Sequence, residues 1–125
     1  MAAPNIVGVT TITGKTTYVS LADTTETVLV SNAADSGHVY KINSIIVAND
    51  DGTNSADITV AYNTVAAGAG ANYHLAKTVT VAADTTLVVL DRASALYLEE
   101  NRSIVVQASA ASDLDVVCSY EDISS

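Results

Sequence analysis

The chain reads as an all-β, single-domain antiparallel β-sandwich, Ig-like or jelly-roll-like, of about eight to ten short strands. Three observations lead there. Short runs rich in Val, Ile and Thr recur at a spacing of roughly 8–12 residues, separated by Asn, Asp, Ser and Gly. Inside those runs apolar and polar residues alternate with the period of a strand, as in Ile58, Val60 and Tyr62 against Asp57, Thr59 and Ala61. No stretch keeps apolar residues at helical spacing between caps; residues 93–100 come nearest and are too short to stand alone.

The segment expected at the centre is residues 38–62, HVYKINSIIVANDDGTNSADITVAY. Its first arm turns apolar on both faces at Ile45, Ile46 and Val47, which places it mid-sheet. Its second arm alternates cleanly. Between them, residues 49–55 are turn chemistry, because Asp and Asn bond their own backbone and Gly52 supplies positive φ. The two arms are therefore predicted to pair as a hairpin.

In chain order, residues 5–13 (NIVGVTTIT) read as a first strand behind Pro4, where a missing N–H costs least. Gly14 and Lys15 are expected to turn into a second strand, 16–21. A loop at 22–25 leads to strand 26–31, and residues 32–37 break before the central segment. Beyond it, the small-residue stretch 63–72 reads as the most flexible loop. Strands follow at 73–81 and 86–90, then a short run at 95–98 and a polar corner at 99–102. Residues 103–109 and 114–121 are predicted to close the chain as a terminal hairpin.

Composition narrows the function. The chain has 125 residues, enough to bury roughly two-thirds of its unfolded surface. Its 49% hydrophobic content comes from small aliphatics, with no Trp or Phe, which suits a thin sandwich. Fourteen acids against five bases give a net charge of −9, and Lys15, Lys41, Lys77, Arg92 and Arg102 are scattered along the chain. Such a surface argues against direct nucleic-acid binding and against anionic membranes. No apolar run is long enough for a membrane helix, and the N-terminus lacks a basic, apolar leader, so the expectation is a soluble product of the cytoplasm. The lone Cys118 lies in phase with Leu114, Val116 and Tyr120 and reads as a small buried hydrophobe.

Chemistry-bearing patterns each have a plainer reading. Residues 49–57 offer oxygens for calcium, yet Val47 occupies the leading acidic position of the helix–loop–helix pattern; a solvated turn is expected and no metal. Gly68 and Gly70 lack the third glycine and following helix of a dinucleotide fingerprint, so no cofactor is expected. His38 and His74 begin strands and come with no nucleophile elbow. Glu99 and Glu100 are strand neighbours facing opposite ways, unlike the convergent carboxylates of a glycosidase. No catalytic residue is assigned, and the chain is not expected to be an enzyme. Tyr40, Tyr62 and Tyr120 fall in phase with the core, whereas Tyr73 and Tyr97 do not and would be the platform of any glycan-binding module.

Residues 96–109 (LYLEENRSIVVQAS) with 113–123 (DLDVVCSYEDI) resemble the C-terminal part of small tailed-phage virion proteins. Residues 3–7 (APNIV) and the segment 39–60 look like structural proteins of cyanophages and other marine phages. The chain departs from that pattern at Asn101-Arg102, where many of those proteins carry Gly-Asp. The resemblance implies a non-enzymatic virion structural protein present in many copies, above all a capsid decoration or cement protein on the outside of the assembled head. A neck, tail or fibre-adaptor role fits the same fold, and a host-glycan module is the third reading. The implied partners are the major capsid protein or other virion proteins, in a homo-oligomer or lattice-bound multimer. Candidate contact residues are Asn5, Val7, Val9 and Thr11, on a predicted exposed sheet edge, and Val65, Gly68, Gly70 and Asn72, in a loop that could order on docking.

Overall fold

A computed structural model describes residues 4–125. Their alternating pattern folds into nine antiparallel strands in two sheets packed face to face. The strands are β1 (Thr11–Ser20), β2 (Thr27–Asn32), β3 (His38–Asn49), β4 (Ala56–Asn63), β5 (Asn72–Val81), β6 (Thr86–Leu90), β7 (Leu96–Leu98), β8 (Arg102–Ala108) and β9 (Leu114–Ser124). The front sheet runs β1-β9-β3-β6, and β7 also pairs with β3; the back sheet runs β2-β8-β4-β5. β6 and β7 meet different stretches of β3, Ile45–Ala48 and Tyr40–Ile42, so they act as one strand broken by the short helical turn Arg92–Ser94. Counted that way, eight strands interleave across two four-stranded sheets. This is the strand order of a jelly roll, and of the two expected architectures it is the one formed.

Two predicted pairings are corrected. β3 and β4, read as the arms of one hairpin, lie in different sheets, and residues 50–55 arch between the layers. Both strands are interior, as expected, but each in its own sheet. The terminal pair behaves alike: β8 is in the back sheet and β9 in the front. A local polar break marks where a strand ends and says nothing about whether the chain folds back beside it or crosses the core. The hairpin that does form is β4–β5, across the loop expected to be most flexible.

The N-terminal boundary is corrected as well. Gly14 and Lys15 do not turn; they pair with Glu121 and Tyr120 inside a ladder of ten unbroken β1–β9 pairs. That long partner overrides the local preference of glycine for turns. Upstream, Asn5 makes a turn instead of starting a strand: its side chain accepts from Val7 N at 3.0 Å and its carbonyl from Gly8 N at 2.9 Å.

The core lies between the sheets, where Ile42, Ile45, Val47, Leu114 and Val116 from the front meet Ile58, Val60, Ile104 and Val106 from the back, all fully buried. Burial of branched side chains at about 25 cal/mol per Å² of apolar surface is the main stabilising term. Three strands, β2, β3 and β4, end on a buried asparagine, Asn32, Asn49 and Asn63. The carboxamides of Asn32 and Asn49 turn inward and that of Asn63 outward, and each bonds the backbone of the segment that follows or faces it. Asn49, for example, donates to Asn54 O and Val81 O at 3.0 and 2.9 Å, closing the inter-sheet arch.

Candidate interaction surfaces

Register decides which side chains share the outer face of the front sheet. Val19, Val116, Val47 and Leu87 form one cross-strand row and pack inward. Their sequence neighbours Tyr18, Val117, Ile46 and Val88 form the next row and must point outward. That row crosses all four strands, with Tyr18 77%, Val88 56% and Val117 39% exposed. Asp115, Lys41 and Glu121 are the charged side chains among the register-paired positions of this face, and most of the others are Thr, Ser or aliphatic. At the far end, Val39 and Ile123 also point outward yet are buried, and Pro4 and Ile6 line a shallow hollow there with Val39, Tyr97 and Glu99. The N-terminal segment therefore shields that end and leaves the Tyr18 row bare.

The outer face of the back sheet is partly covered by the chain itself, at Ala61 and Val105, while Val28 stays 38% exposed. The loop from Thr64 to Ala71 folds over it, tied from beneath. Asn63, fully buried, donates to Gly68 O and Gly70 O at 3.1 Å each and to Asn72 Oδ1 at 2.6 Å, and accepts from Val65 N and Gly70 N at 3.0 Å. Ser103 Oγ and Ser31 Oγ donate to Val65 O and Ala66 O at 2.8 Å each, and Arg102 donates to Thr64 O at 3.2 Å. Gly68, at φ +83°, brings the loop so close that an added Cβ would meet Val28 Cγ2 at 3.0 Å and Val105 Cγ1 at 3.3 Å. The loop expected to be floppy is a hydrogen-bonded pad. Sequence reasoning missed Asn63 as its anchor; the available signal was an amide at an outward-phase position closing an apolar strand just before a run of small residues.

Of the candidate contact residues, Thr11 opens β1, which pairs with β9 alone and forms one edge of the front sheet. Asn5, Val7 and Val9 precede the strand, with Val7 almost fully exposed. Val65, Gly68 and Gly70 belong to the pad and Asn72 begins β5, so the two groups lie on opposite sheets.

One buried charge sits at the rim between the sheets. Asp122 accepts from Lys15 Nζ at 3.0 Å and bonds His38 Nδ1 at 2.5 Å, beside the packed rings of Tyr40 and Tyr120. Burial pushes the Asp122 carboxyl up, but the hydrogen bonds and charges of His38 and Lys15 together outweigh it and hold it below the ordinary carboxylate value. Its hydrogen bond to Asp122 raises Lys15 in turn. The hydroxyl nearest in sequence, Ser36 Oγ, accepts from the His38 backbone N–H, not from its ring. Glu99 and Glu100 do not converge: Glu100 accepts from Gly37 N, and Glu99 N donates to Tyr62 Oη. The loop at 49–57 is organised by Asp51, which accepts from Thr53 N at 2.7 Å and Asn54 N at 3.0 Å, and no group of acids, His or Cys among the described residues is arranged to hold a metal. Cys118 is fully buried, and burial pushes its thiol up to about 12. Tyr73 and Tyr97 are both substantially exposed, on different sheets.

These features define an antiparallel jelly roll with one bare face. No family model and no curated protein matches the chain. Among solved structures it is similar to a subunit of Bacillus endospore appendages, described as disulfide-linked pili, at 16% identity and a TM-score of 0.53, covering 91% of this chain and 88% of that one. It is also similar to a chain of the T13 viral particle of IBDV, at 10% identity and a TM-score of 0.54 over 93% of its length. It spans only 32% of that viral chain. At these identities the likeness is one of fold.

Proposed function

We propose that this chain is a non-enzymatic structural subunit of a virion, a decoration protein that lies on the outside of the assembled head and holds neighbouring shell subunits together. The observation that carries the reading is the bare, nearly uncharged outer face of the front sheet. In a chain of net charge −9, a row of exposed Tyr18, Val117 and Val88 about a half-buried Ile46 is the feature that a packing partner accounts for. The resemblance to phage virion proteins supports the choice of assembly, as does the fold shared with subunits of two repeating structures, a pilus and a viral particle. A cement protein stabilises its shell because it binds the assembled form and not the free subunits, and symmetry multiplies each weak contact. The pili are described as disulfide-linked; here the sole cysteine is buried in the core, so the contacts are non-covalent.

Cryo-electron microscopy of the phage particle that the chain belongs to tests this. Copies arrayed over the head lattice with the Tyr18 row against the shell are the expected result. A ring of few copies at the portal or tail would move the chain to a neck or adaptor role. Absence from the particle would overturn the virion reading and bring glycan binding by Tyr73 or Tyr97 forward.

A further inference from the structure

The two sheets have four edges, and three are blunted. At β2 the ladder to β8 is short and broken by a register shift between Val28 and Val30. At β5 the ladder to β4 shifts twice, and Thr78 sits at φ +48° with its N–H bonded to Thr59 Oγ1. The β6/β7 edge is interrupted by the helical turn at Arg92–Ser94. Bulges, breaks and short strands are how β-proteins stop edges from recruiting other chains. The fourth edge has none of these. β1 runs uninterrupted for ten residues, pairs with β9 without a shift, is exposed at most positions and contains no Pro. The segment at Pro4 and Ile6 crosses toward Val39 and Tyr97, on the far side of β9 from that edge. Lys15 is the one candidate guard on the strand. It points to the inner rim, where Asp122 already neutralises it.

We infer that β1 pairs antiparallel with β1 of a second copy of this chain, joining two front sheets into one. Charge favours that occupant: residues 1–22 contain no Asp or Glu, so two strongly acidic molecules meet along an acid-free strand. Register follows from geometry. Side chains directly opposite each other in a ladder share a face. With both sandwiches on the same side of the joined sheet, opposed residues must therefore both be inward or both outward. Centring the two-fold axis on Lys15 or on Thr16 gives the same nine-residue overlap, but the first sets two ammonium groups against each other. Centring it on Thr16 moves the lysines out of opposition. Thr16 then faces its own copy, Tyr18 covers Gly14 of the other chain, and residues 12–20 lie opposite 20–12. The same register makes the two Tyr18 rows part of one continuous outer surface. The inference deepens the proposed structural role by naming the chain's own oligomer contact.

Sedimentation of the whole chain over a wide concentration series tests it, with two variants. The wild type is expected to form a dimer. Thr16→Lys, an exposed change checked for folding by circular dichroism, should weaken that dimer roughly tenfold or more by opposing two charges. Thr86→Lys, on the blunted edge, should leave it intact. Thr16→Cys should give a disulfide-linked dimer under mild oxidation, because paired strand positions lie within disulfide reach. Tyr18→Cys should not, because its mate lies about 13 Å along the ladder. A monomer at every concentration, a dimer indifferent to Thr16→Lys, open-ended oligomers, or cross-linking through Tyr18→Cys but not Thr16→Cys would each overturn the inference. A chain that decorates the head as monomers would sink this pairing and keep the virion reading.

Discussion

The outer faces of the two sheets began with the same problem and met it differently. Each carries apolar side chains at outward positions: Val28, Ala61 and Val105 on the back sheet, Tyr18, Ile46, Val88 and Val117 on the front. On the back sheet the chain spends eight residues, Thr64 to Ala71, covering the patch, and fixes them with one buried asparagine. On the front sheet the N-terminal segment shields only the Val39 end. Loops rarely lie flat on a sheet unless their backbone groups are satisfied, so the pad's hydrogen bonds are the condition of its existence. The contrast is one of degree, since Val28 remains 38% exposed beside the pad, and it is largest at Tyr18 and Val88, 77% and 56% exposed.

The largest effect comes from breaking the cover. Asn63→Ala deprives four polar groups of the pad, and Asn72 beyond it, of their shared anchor in a site closed to water. The expected loss is about 3 kcal/mol of unfolding free energy, measured by urea denaturation. The same variant should bind a hydrophobic dye at the uncovered Val28 and Val105, making the back sheet behave like the front. Stability loss without new dye binding would mean that the pad stays in place by other contacts.

Acid should separate the faces in the other order. The pad is held by carboxamides, hydroxyls, backbone groups and the Arg102 guanidinium, none of which titrates in acid, with Glu26 touching only its end at Asn72. The β1–β9–β3 end of the front sheet is tied by Asp122 to Lys15 and His38. Because the folded Asp122 lies below its unfolded value of 3.8, its contribution is present above that pH and is lost as pH falls through the folded value. Hydrogen-exchange protection should therefore drop in β1 and β9 before β4 and β8 on acidification. Asp122→Asn should cost about 2 kcal/mol at neutral pH and abolish the difference. Simultaneous loss in both sheets would show that Asp122 is not what sets acid sensitivity.

How much of this was legible beforehand differs by level. Strand positions and inward phases read well, because alternation is local: Ile58 and Val60 fall in the inward phase and are fully buried. Partners read poorly. The break at residues 50–55 has the same chemistry whether β3 and β4 fold side by side or cross between layers. Gly14 shows the same limit, since a glycine inside a ten-pair ladder cannot be told locally from a glycine in a turn. The pad is hard to read for a third reason: small residues at 63–72 suggest freedom, whereas Gly68 and Gly70 are small because the loop presses against the sheet and its own anchor.

A milder break of the same cover is Gly68→Ala. The positive φ is unfavourable for alanine, and its Cβ would press on Val28 and Val105, so about 1–2 kcal/mol should be lost in thermal unfolding. If alanine is tolerated without loss, the pad floats above the sheet.

The smallest stability effect is expected on the bare face, and there it is the informative one. Tyr18→Ser and Val117→Thr remove apolar groups that already touch water, so each should change unfolding free energy by no more than about 0.5 kcal/mol. A residue conserving the core would cost several times that when truncated, as about 2–5 kcal/mol is typical for a buried Leu or Ile cut to Ala. The test pairs the two measurements: unfolding of the isolated variant, and retention of the variant on assembled particles. Unchanged unfolding with weakened retention places the Tyr18 row in a contact between molecules. A large stability loss in the isolated chain would instead make the row part of this chain's own packing, and the contrast between the two faces would lose its meaning.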